Sequence, residues 1–138
     1  MTTLLSTRRL WDVARPVLAA LVGGGAYGCW AMFTHHRLGL GVALHAGLTQ
    51  VALSVIATLV AVLVLERLFR WPSNPLHGFW LASVGTSTLG LIWLVVGHVL
   101  AGTPHIAVTI APPVIVGTVS DFLYSGALLV QAKRRRAE

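Results

Sequence analysis

The chain has 138 residues, of which 56% are hydrophobic and 10% charged, with a mean hydropathy of +0.80. A soluble domain carries about a quarter charged residues, so this composition excludes one and points to a lipid environment. The net charge of +6 does not point to nucleic acid, because the basic residues stand at the ends of apolar runs and not on an amphipathic helix interleaved with aromatics.

Four uncharged runs of about 20 residues each match a hydrocarbon core of about 30 Å at about 1.5 Å per residue. They predict an all-α integral membrane protein, a single-domain four-transmembrane-helix bundle with spans near 13–33, 44–65, 80–100 and 113–132. Nine basic residues fall on one side (Arg8, Arg9, Arg15, Arg67, Arg70, Lys133, Arg134, Arg135 and Arg136), against Arg37 alone on the other. By the positive-inside rule both termini and the middle loop are expected in the cytoplasm. With no other targeting signal, the expected location is a bacterial plasma (inner) membrane. The lone Cys29 allows no disulfide within the chain. The first apolar run follows Arg8-Arg9 and approaches a small-residue stretch, but Asp12, Arg15, Pro16 and Tyr27 fit a cleaved signal poorly, so it reads as a retained span.

Taken in order, the stretch from Trp11 to Pro16 reads as an interfacial lead, with Arg15 placed to snorkel. Span 1 holds Gly23-Gly24-Gly25, and Ala20, Gly24 and Gly28 recur every fourth residue, a stripe that lets another backbone come close. In span 2, Gly47, Gln50, Ser54, Thr58 and Ala61 share one face. That face is expected to meet protein, leaving Leu, Val and Ile to the lipid. Glu66 and Arg70 are spaced to pair on the last turn, and the loop from Trp71 to His77 is rich in turn residues. Span 3 carries Ser83, Thr86, Ser87, Gly90 and Gly97. Gly90, with Gly47 and with Gly117 in span 4, joins the expected packing positions.

The fourth run contains Pro112-Pro113. Proline suits the first turn of a helix, so the favoured expectation is a helix starting there, after a non-helical segment from Thr103 to Ala111. The alternative is a longer helix, starting near His105 and kinked at the prolines.

Asp121 is the most informative residue. It lies 12 residues before Lys133, so roughly 18 Å in from the basic end. A bare carboxylate at that depth costs about 2.5–3.5 kcal/mol on insertion scales, and no Lys or Arg lies at matching depth. It is expected to hold a proton, line a wet cavity or bind a cation, with Ser54, Thr58, Ser120, Tyr124 and Ser125 as candidate neighbours in a proton, cation or helix-contact site. The histidines on the other side lack metal-ligand spacing. His45 and His98, near the ends of antiparallel spans, are the only weak candidates for a metal or haem pair, and the expectation is no cofactor. Nothing places a nucleophile beside a base, so no enzymatic activity is expected.

Two functions follow. The first is a non-enzymatic accessory or assembly subunit that packs on a larger membrane partner or on itself through its small-residue seams. The alternative is a homo-oligomeric proton- or cation-coupled small transporter or channel using Asp121. The basic tail, Lys133 to Arg136, is expected to attract anionic lipid headgroups.

Overall fold

A computed structural model describes residues 2–137, and side-chain surroundings from 17 to 136. The side chains of Arg8, Arg9, Trp11, Asp12 and Arg15, and hence the proposed interfacial lead, lie outside the described residues. Four helices make up the fold: α1 (Thr2–His35), α2 (Leu40–Arg70), α3 (Pro75–Leu100) and α4 (Ile106–Ala137), with a short 3-10 turn at His36–Leu38. No strand occurs among the described residues. All four helices are long and apolar enough to cross a membrane, which implies a bilayer environment. Each runs past the span expected for it, because a helix satisfies its own backbone and need not stop where the apolar run does.

Short connections make sequential neighbours antiparallel. Gly39 breaks the first with a φ of 102°, a conformation that suits a residue without Cβ. At the second, the Asn74 side chain accepts from the Leu76 N–H at 2.9 Å and Pro75 occupies the first turn. Gly102 turns the third with a φ of 65°. The α2–α3 loop and the C-terminal part of α4 share the basic end, where the Arg136 guanidinium donates to Ser73 O at 3.0 Å. Glu66 and Arg70 pair there at 2.8 Å with the arginine largely exposed, so the pair contributes only a few tenths of a kcal/mol.

Packing follows chain order: α1 on α2, α2 on α3, α3 on α4, with α1 and α4 touching only lightly. The α1–α2 seam is made by glycine. Gly24 lies against Val51 O and Val55, and Gly28 and Gly47 stand backbone to backbone, with Met32 over Gly47. Ala20 is also buried, at 1% exposure. Gly90 and Gly117, expected to pack, instead have no atom within 4 Å of where a Cβ would lie. They border a void, because α1 does not close against α4.

The favoured start of the fourth helix does not hold. α4 begins at Ile106 and passes through Pro112 and Pro113. Pro112 has no N–H to give Val108 O, its partner four residues back. Trp30 of α1 supplies the missing donor, its indole N–H reaching Val108 O at 2.9 Å. The local rule for proline was overridden by a neighbouring helix.

Candidate functional site

Between the helices lies a cavity of about 1010 Å³, about half open to its surroundings, walled by all four helices and largely apolar. α1 contributes Tyr27 and Gly23, α2 Ser54 and Thr58, α3 Thr86 and Ser87, and α4 Gly117, Asp121 and Tyr124. Its size is at the upper end of about 300–1,000 Å³, the range of small-molecule sites. Asp121 is the sole charged residue among those lining it.

Ser87 donates to Asp121 Oδ2 at 2.9 Å, across α3 and α4. Ser87 is 12 residues from Pro75 as Asp121 is from Lys133, so both lie about 18 Å from the basic end. Beside Ser87, the Thr86 hydroxyl is buried and has no partner. Thus one carboxyl and one hydroxyl pair at mid-depth on an otherwise greasy wall.

The other expected neighbours of Asp121 do not reach it. Ser54 and Thr58 line the cavity, but the Ser54 hydroxyl accepts from the Gln50 amide at 2.6 Å and the Thr58 hydroxyl donates to Ser54 O at 2.8 Å. Ser120 is exposed and lines the same void. Ser125 is fully buried, with its hydroxyl unpartnered. Tyr124 also lines the cavity, but its hydroxyl donates to Glu66 Oε1 at 2.9 Å, tying α4 to α2 toward the basic end.

From Ser54 on the cavity wall, a polar network that spacing alone did not reveal runs toward the far end. His98, fully buried, pairs its Nε2 with Gln50 Oε1 at 2.8 Å and its Nδ1 with the Thr103 hydroxyl at 2.9 Å. With a neutral ring, Nε2–H donates to Gln50 and Thr103 donates to Nδ1, and Gln50 passes the chain on to Ser54. His98 is therefore packed inside the bundle, with both ring nitrogens engaged. His45 sits apart, exposed, with its Nε2 toward Ala101 O at 3.0 Å. The pair is not brought together as a ligand set, and no group of three or more His, Cys, Asp or Glu suited to a metal occurs among the described residues.

His35 is equally buried and joins α1 to the α3–α4 loop. Its Nε2 faces Pro104 O, and its Nδ1 faces Ala31 O at 2.8 Å. Together with the Trp30–Val108 bond, this fastens α1 to α4 at the far end, and toward the basic end the cavity intervenes between them.

Removing the His98 ring strands the polar groups of Gln50 and Thr103. A buried unpaired group costs about 1–3 kcal/mol, so His98→Ala is expected to destabilise the fold by on the order of 3 kcal/mol. Thermal unfolding in detergent reads this directly. A variant as stable as the parent chain would mean the network contributes nothing.

No protein-family model matches the chain, and comparisons with curated proteins and with solved structures find no match.

Proposed function

We propose that this chain is a small, non-enzymatic carrier in which Asp121 binds a proton or monovalent cation in exchange for a cargo held in the same cavity. The observation that carries the reading is the Asp121–Ser87 pair on the wall of a ligand-sized, mostly apolar cavity. A carboxyl at this depth exacts a desolvation cost, and a cost of that kind suits a group that must change its occupancy. Oxygen donors are what a proton or hard cation requires. Four helices enclose a path poorly, so the working unit is a homo-oligomer. It sits in a bacterial plasma membrane with both termini inside, its basic tail Lys133–Arg136 on anionic headgroups.

A second reading, an accessory subunit, draws on the glycines. Gly24, Gly28 and Gly47 are already used between α1 and α2, and its support is the glycines that face open space, Gly25, Gly90 and Gly117 among them.

The test is labelling with dicyclohexylcarbodiimide, an apolar reagent that activates protonated carboxyl groups. Intact and tandem mass spectrometry should place one adduct on Asp121, and none on the Asp121→Asn protein. Labelling should fall as pH rises, because the reagent needs the protonated acid. A chain that stays unmodified at Asp121 across the acidic range rules out the exchangeable site.

A further inference from the structure

We infer that the cargo is a lipophilic organic monocation, entering from the bilayer between α1 and α4. This rests on the carrier reading above and narrows it to a substrate class.

Charge comes first. Asp121 is the one formal charge among the lining residues, and no Lys, Arg or His stands with it. An anionic cargo would face that carboxylate with nothing to neutralise it, whereas a single positive charge would meet one opposite charge at mid-depth. A dication would retain an unpaired charge in an apolar space, which is strongly disfavoured. The site selects one positive charge.

The rest of the wall selects an apolar, ring-bearing body. Tyr27, Trp93 and Tyr124 line the void from three different helices, and aromatic rings attract organic cations where water is displaced. The remaining surface is mainly Leu, Val, Ala and Gly. A small hydrated ion would leave this surface facing empty space or water, so the apolar volume has no use for an inorganic ion alone.

Access follows from the packing. At the far end Trp30–Val108 fastens α1 to α4 and His35–Pro104 fastens α1 to the α3–α4 loop, the His98–Gln50 pair ties α2 to α3, and Tyr124–Glu66 bridges α4 and α2 toward the basic end. α1 and α4 touch only lightly, and α2 and α4, which touch no more closely, are held by the Tyr124–Glu66 bond, which leaves the α1–α4 side as the opening toward lipid. A lipophilic cation concentrates in the membrane and arrives by that route.

The experiment uses two probes of matched shape and opposite charge, tetraphenylphosphonium and tetraphenylborate, with the full chain in phosphatidylcholine nanodiscs and equilibrium dialysis as the readout. Tetraphenylphosphonium should bind saturably and tetraphenylborate should not. Asp121→Asn should weaken the cation at least tenfold. Gly117→Leu, which places a side chain into open space on the cavity wall while keeping the carboxyl, should weaken it as much with the protein still monodisperse. Equal binding of the two probes, or wild-type affinity in Asp121→Asn, overturns the inference. So does an absence of saturable tetraphenylphosphonium binding in a chain whose Asp121 still takes the carbodiimide label, an outcome that leaves the ion site intact and removes only this class of cargo.

Discussion

Asp121→Asn is expected to reduce the transient current evoked by a pH step in reconstituted vesicles by at least tenfold, to the level of protein-free vesicles. Asparagine keeps the size of the side chain, and its carbonyl oxygen still accepts from Ser87, so the contact between α3 and α4 is preserved. What disappears is the capacity to bind and release a proton or cation. Asp121→Glu should retain part of the current. Ser87→Ala should fall between, since a hydrogen bond to a charged group is worth about 1.5–3 kcal/mol and its loss disturbs the site without removing its chemistry. A wild-type current in the Asn variant would detach Asp121 from function altogether and leave it a helix contact.

Gly28→Leu and Gly47→Leu are expected to have the largest effect on the fold. A Cβ on Gly28 would stand 3.0 Å from Gly47 O, and one on Gly47 would stand 3.0 Å from Gly28 O. Val51 and Met32 side chains, also in the way, can rotate, but the two backbones cannot yield without α1 leaving α2. Overpacking of this kind costs about 1–3 kcal/mol for modest insertions and more for larger ones, so a full leucine should cost on the order of 3 kcal/mol or more. Size-exclusion and thermal-shift measurements in detergent should report aggregation or a clearly lower midpoint. Gly25→Leu is the control. It lies on the same helix with nothing within 4 Å of its Cβ position, and it should behave like the parent chain. If all three variants unfold alike, the seam is not what holds α1 in place.

These two results bear on each other. The accessory reading depends on small residues that remain available to a partner, and the Gly28–Gly47 crossing shows that the densest stripe is already occupied within one chain. Of the glycines expected to pack, the two that do not, Gly90 and Gly117, line the same cavity as Asp121. Their lack of side chains enlarges the space in which the carboxyl operates.

Much of this was legible in the order of the amino acids. Apolar runs of span length announce helices because, in lipid, a helix satisfies its backbone hydrogen bonds within its own segment. Asp121 stands out because one carboxyl in an uncharged run has a cost that no local neighbour offsets. The Glu66–Arg70 spacing and the stripe of Ala20, Gly24 and Gly28 are likewise local, fixed by the helical repeat. Counting from the basic end also set Thr86 to Gly90, and so Ser87, at the depth of Asp121, but which side chains pair was not legible. Ser87 and Asp121 are 34 residues apart, Gln50 and His98 48, and Glu66 and Tyr124 58, and each meeting depends on the rotation and axial register of two helices about which periodicity says nothing. Composition and span length were enough for four membrane-length helices, their alternating direction and one acidic residue at mid-depth. Packing set the course of α4 through Pro112-Pro113, because the donor that satisfies Val108 O comes from Trp30 on another helix. It also decided that α1 and α4 stay apart below that bond, and so that Asp121 faces a cavity and not a packed seam.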